Sequence, residues 1–103
     1  ELNKNTSKFR LHMETIKLTI HGRVQGVGYR YFVKQQAEKY NIKGYVKNLP
    51  GERIGIMAQS DDSTQLNLFL RECKRGPVLS KVEREEEEEV KDARKFREFE
   101  VRV

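Results

Sequence analysis

His21-Gly22-Arg23-Val24-Gln25-Gly26-Val27-Gly28-Tyr29-Arg30 lies between a strand-like run and a helix-like run. On its N-terminal side Ile16, Leu18 and Ile20 alternate with Lys17 and Thr19, the period-two pattern of a half-buried strand. On its C-terminal side Phe32, Val33, Ala37 and Tyr40 fall near one face of a helix that begins close to Arg30. A glycine-rich turn between strand and helix lets successive backbone N–H groups point inward, and the helix N-terminus adds partial positive charge. The stretch therefore reads as a cradle for an anion such as phosphate.

Gly22, Gly26 and Gly28 make G-x3-G-x-G, which is neither the dinucleotide fingerprint G-x-G-x-x-G nor Walker A. Walker A requires Gly-Lys followed by Ser or Thr, whereas Gly26 precedes Val27 and Gly28, so no Mg²⁺ ligand is implied. Arg30 supplies a permanently charged fork that can grip two oxygens of one phosphoryl group. A cation is disfavoured at a helix start by the dipole, and a bound anion resolves that conflict.

Strand one runs from about Glu14 to His21 and helix one from about Arg30 to Tyr40, ended by Asn41 or Gly44. Gly44-Tyr45-Val46-Lys47-Asn48 and Arg53 to Gln59 flank the Pro50-Gly51 turn and make a hairpin. Ser60-Asp61-Asp62-Ser63 offers N-cap chemistry for a second helix, in which Leu66, Phe69, Leu70 and Cys73 recur at helical spacing up to Gly76-Pro77. A fourth strand from about Lys81 to Val90, a turn over Lys91 to Lys95, and a closing strand holding Phe99, Val101 and Val103 complete the chain. The order is βαββαβ, which predicts an α+β, ferredoxin-like two-layer sandwich: a mainly antiparallel sheet of four to five strands with two helices on one face. In that plan the loop after strand one and the end of the first hairpin strand lie close together, so Arg30 and Asn48 are expected to face one pocket.

Gly22 to Arg30, followed at a distance by Gly44-Tyr45-Val46-Lys47-Asn48, closely resembles the acylphosphatases, and the resemblance runs from about Glu14 to Val103. It implies hydrolysis of the carboxyl-phosphate anhydride of small acyl phosphates without metal or cofactor. In the roles it implies, Arg30 binds phosphate and is catalytic, Asn48 positions the attacking water, and Gln25, Gly26, Val27, Gly28 and Tyr29 supply cradle amides. It also implies that the substrate's own phosphate oxygen takes the water's proton, which suits a motif with no obvious general base. The residues alone agree with that chemistry, because an activated phosphate needs only orientation and stabilisation of spreading charge. An asparagine amide can both donate to and accept from a water. The Leu49-Pro50-Gly51-Glu52 turn and the Glu85 to Glu89 run depart from the family's usual pattern.

A chain of 103 residues with 36% charged and 36% hydrophobic residues is one domain with an economical core, expected over 14–103 behind a poorly ordered extension over 1–13. The net charge of +5 favours anionic ligands without choosing among them. Cys73 is the single cysteine, so no internal disulfide forms, and a reducing, cytoplasmic setting is expected. No apolar run approaches the roughly 18 residues needed to cross a membrane. Cys73 reads as a core residue, His21 as a packed strand-end residue, and Glu85 to Glu89 as a solvated edge. Arg23 is left outside the chemistry, and a monomer that binds no membrane or nucleic acid is expected. The alternatives are a non-catalytic module of the same fold and an RNA-binding ferredoxin-like domain. For the latter, Lys43-Gly44-Tyr45 opens like an RNP1 signature but continues with Val46 and Lys47, against that pattern.

Overall fold

The computed structural model describes residues 13–103; of the extension expected over 1–13, all but Met13 lies outside the described residues. In chain order the elements are β1 (Glu14–Arg23), α1 (Tyr29–Tyr40), β2 (Lys43–Leu49), β3 (Arg53–Ser60), α2 (Ser63–Arg75), β4 (Lys81–Glu89) and β5 (Phe99–Arg102). The strands form one sheet in the order β4-β1-β3-β2-β5. Only the β2–β5 pair is parallel; β1–β3, β1–β4 and β2–β3 are antiparallel. This is the ferredoxin-like architecture that the element order predicts.

The period-two pattern decides which face is covered. Leu18 and Ile20 of β1, Val46 of β2, and Ile54, Ile56 and Ala58 of β3 are fully or almost fully buried beneath the helices. Val33 and Ala37 of α1 and Leu66, Phe69, Leu70 and Cys73 of α2 meet them from above. α1 packs on β2 and β5, and α2 on β1, β3 and β4. Burying a side chain of this size contributes on the order of 1.5–3 kcal/mol, so the short core suffices for a small domain. Asp62 caps α2 by accepting from the Gln65 N–H at 3.1 Å, and Gly76 closes it behind Lys74 and Arg75. α1 ends where Asn41 adopts a left-handed conformation, φ 58°.

β1 runs two residues past His21, which corrects one reading of the glycines. Gly22 lies within the strand at a register shift against β4, with φ 136°, and a Cβ there would stand 2.1 Å from the Lys81 carbonyl oxygen. It serves close strand approach, so the cradle proper begins after Arg23. β4 is an edge strand whose Glu85 to Glu89 lie opposite Ile20 to Ile16 and face solvent, as the charge run suggests. Lys91 to Lys95 opens with a turn at Asp92 and then continues irregularly; Gln59 ties it down by donating to the Arg94 carbonyl at 2.9 Å and accepting from the Phe96 N–H at 2.8 Å.

Both β1 and β2 run antiparallel to β3, so their carboxyl ends share one edge of the sheet. Ile20, Ile54 and Asn48 stand level across three strands, with the loop that follows β1 beside them. Sheet topology alone therefore brings the cradle and Asn48 to one corner.

Candidate active site

The loop between β1 and α1 is fixed from both ends. Val24 is wholly buried at its start, Tyr29 is 1% exposed at its end, and Val27 packs partly against the same core. The Tyr29 hydroxyl crosses to α2 and donates to the Cys73 carbonyl. Burial raises the pKa of that hydroxyl, with the neighbouring Cys73 adding to the effect, so it stays protonated as a donor. Burial likewise pushes the Cys73 thiol up, as for a core residue rather than a nucleophile. Between the anchors, the Gln25 side chain donates to the Leu49 carbonyl at 2.8 Å and the Arg53 carbonyl at 3.0 Å. Gln25 thereby fastens the loop to the β2–β3 turn, a role that its place among the expected cradle amides did not reveal.

With Val24, Gln25, Val27 and Tyr29 turned toward core and hairpin, the loop presents main chain to its outer side. Gly26 and Gly28 are exposed, have φ of 73° and 77°, and meet nothing within 4 Å at a Cβ position. Their conformation, more than crowding, demands glycine. Gly28 is the N-cap of α1 and offers no side chain to cap it; the first turn holds no acidic residue. The first N–H groups of a helix lack intrahelical partners, so this end of α1 keeps donors and a positive dipole for an external anion.

Arg30, in the first turn, lies half-buried over this end and donates from Nη1 to the Arg102 carbonyl of β5 at 2.8 Å. That bond fixes the guanidinium while leaving further N–H donors of its fork. None of the ion pairs among the described residues involves Arg30, so no carboxylate among them neutralises its charge. Asn48 projects from the helix-covered face of β2, the face that also holds Val46. β5 stops at Arg102, level with Lys47, and so does not wall off Asn48.

Arg30 and Asn48 line one cavity of about 300 Å³ together with Gly26, Gly28, Tyr29, Val24, Tyr31 and Val101. Of the predicted residues, Gln25 and Val27 are not among those lining the cavity, and their side chains go to the hairpin and the core. Val24, Val101 and the Arg102 carbonyl were not singled out from sequence as part of the site. A buried valine opening a polar loop was a readable signal, whereas a backbone carbonyl gives none. Among the described residues no carboxylate lines the cavity, and Arg30 and the helix end contribute positive potential to it. Among the described residues, no three His, Cys, Asp or Glu side chains come together in a way that could hold a metal ion.

The other candidates lie elsewhere. His21 Nε2 is 2.9 Å from Glu86 Oε1, on the uncovered face of the sheet, and that contact lowers the Glu86 pKa. Tyr45 is on the same uncovered face, but the Arg102 guanidinium lies over its ring at 3.8 Å, which occupies the surface on which a nucleobase would stack.

The Acylphosphatase family model matches residues 16–101. An acylphosphatase of Archaeoglobus fulgidus is 46% identical over 70 residues, covering 68% of this chain and 78% of that one. The crystal structure of acylphosphatase from Bacillus subtilis superposes with a TM-score of 0.83 at 32% identity, over 89% of this chain and all of that one. A similar likeness, TM-score 0.81 at 31% identity over 89% of this chain, extends to 12% of full-length HypF in its phosphate- and nucleotide-bound form.

Proposed function

The chain belongs to the acylphosphatase family and is an acyl phosphate hydrolase, and from that premise we propose that Arg30 and the 25–29 loop hold the phosphoryl group while Asn48 holds the water that attacks it. The observation that carries this reading is that Arg30, Asn48, Gly26 and Gly28 converge on one cavity from a helix, a strand and a loop. The water oxygen forms a bond to phosphorus as the bond to the bridging oxygen breaks. The carboxylate leaves with that electron pair, and the water's proton passes to a phosphoryl oxygen. Charge spreading over the phosphoryl oxygens is met by Arg30 and the loop amides, which are in place before the reaction. At an effective dielectric near 20, a unit charge about 4 Å away is worth about 4 kcal/mol, and only the part gained in the transition state raises the rate.

The domain is proposed to span 14–103 and to act as a monomer on free acyl phosphates in the cytoplasm, without nucleic acid or membrane. In support, two copies joined edge to edge through β4 would oppose glutamate rows, and like charges directly opposite are destabilising. No helix among the described residues is long and apolar enough to cross a membrane. Cys73 is buried and unpaired.

Hydrolysis of benzoyl phosphate, followed with and without EDTA, tests the reading. The expected result is turnover unchanged by the chelator. Phosphate binding without turnover would favour a non-catalytic module, and loss of turnover in EDTA would overturn the metal-free mechanism.

A further inference from the structure

Tyr31 is 68% exposed and Val101 is 45% exposed. Exposed apolar side chains scattered singly need no explanation, but these two flank the same cavity as Arg30 and Asn48. Val101 comes from β5 of the sheet and Tyr31 from the first turn of α1. Neither a hydrogen bond nor a ring pair among the described residues accounts for the place of Tyr31. Its neighbours in the helix do have such partners: Tyr29 is in the core, and Arg30 is tied to β5.

In-line displacement puts the entering water and the departing carboxylate on opposite sides of phosphorus. With the water on Asn48 at the sheet wall, the acyl group departs toward the helix, whose first turn brings Tyr31 to the same cavity. A phenol ring offers an apolar, flat surface and no charge, so it rewards an aromatic or extended apolar acyl group and gives nothing to a second anionic group. A short acyl group such as acetyl presents little surface to it. We propose that Tyr31 is a specificity residue that selects acyl phosphates with an aromatic or extended apolar acyl group. The proposal rests on the reading of Arg30 and Asn48 given above.

The test is the ratio of kcat/KM for benzoyl phosphate to kcat/KM for acetyl phosphate, measured for the wild type, Tyr31→Ala and Tyr31→Phe. In Tyr31→Ala the ratio is expected to fall about tenfold, the discrimination typical of one apolar contact. In Tyr31→Phe, which keeps the ring, it is expected to stay within about twofold of wild type, a shift well below that of one apolar contact. A ratio unmoved in Tyr31→Ala, even with both rates reduced in proportion, overturns the specificity role and leaves the roles of Arg30 and Asn48 intact. A fall in Tyr31→Phe as large as in Tyr31→Ala also overturns it, because the hydroxyl rather than the ring would then be responsible. A wild type that turns over neither compound overturns the reading of the whole site, and the proposal with it.

Discussion

Arg30→Ala is expected to lower kcat/KM for benzoyl phosphate at least a hundredfold, on the order of 2.7 kcal/mol of transition-state stabilisation. Among the described residues the guanidinium is the one full positive charge lining the cavity, and it is held in place by its bond to the Arg102 carbonyl. Removing it leaves a dipole and neutral amides to meet a phosphoryl group whose charge spreads over its equatorial oxygens. Ground-state binding depends on the same charge, so competitive inhibition by inorganic phosphate should be lost as well. Arg30→Lys is not expected to restore activity, because a lysine is a point charge without the planar fork. Steady-state kinetics on the three proteins decides the matter, and undiminished turnover in Arg30→Ala would remove the assignment. The domain should remain folded, since among the described residues the Arg30 side chain makes one hydrogen bond and is not part of the core.

Asn48→Ala is expected to lose at least a hundredfold in kcat, on the scale of removing one well-placed polar group from a transition state. Its signature should differ from that of Arg30→Ala. Asn48 lies on β2 and is not part of the loop that meets the phosphoryl group, so inhibition by inorganic phosphate should persist. A loss confined to kcat with phosphate binding retained would identify a group acting on the nucleophile. A rise in KM with kcat unchanged would instead make Asn48 a phosphate contact. Asn48→Asp is also informative, for a carboxylate at that position would repel the phosphoryl group while remaining able to accept from water.

Much of the fold was legible because its two periods are clean. Ile16, Leu18 and Ile20 alternate in β1, Leu66, Phe69, Leu70 and Cys73 recur in α2, and Gly76-Pro77 stops that helix; each of these elements lies within two residues of where the pattern puts it. β4 was expected from about Lys81 to Val90 and runs Lys81–Glu89, but its hydrophobic pattern is weak, because a strand at the sheet edge with one half-buried side chain, Val82, has no buried face to impose alternation. The parallel seating of β5 against β2 was hidden for a different reason. Partner choice between strands is a property of the assembled sheet, and Phe99 and Val101 would alternate identically beside any neighbour.

The site shows the same division. Glycines flanking a short apolar step, followed by an arginine at a helix start, announce an anion loop in the sequence itself. Gln25 gave no sign that it would reach Leu49 and Arg53, since a glutamine in a loop is usually solvated. Gly22 was grouped with Gly26 and Gly28 because glycines near a loop look alike until the Lys81 carbonyl is seen beside one of them. Arg30 was visible as a charge, but what orients it is a backbone carbonyl seventy-two residues away. Contacts made by main chain leave no mark on residue identity.

The most direct test of the account is a titration of the isotope-labelled protein with inorganic phosphate, followed through the backbone amides and the side-chain amide of Asn48. The account predicts that the largest shifts fall on the amides of residues 25–30, with a smaller response at Asn48, and that all of them vanish in Arg30→Ala. Shifts gathered instead around Arg94 to Arg97, or a response at the loop that survives the loss of Arg30, would contradict it.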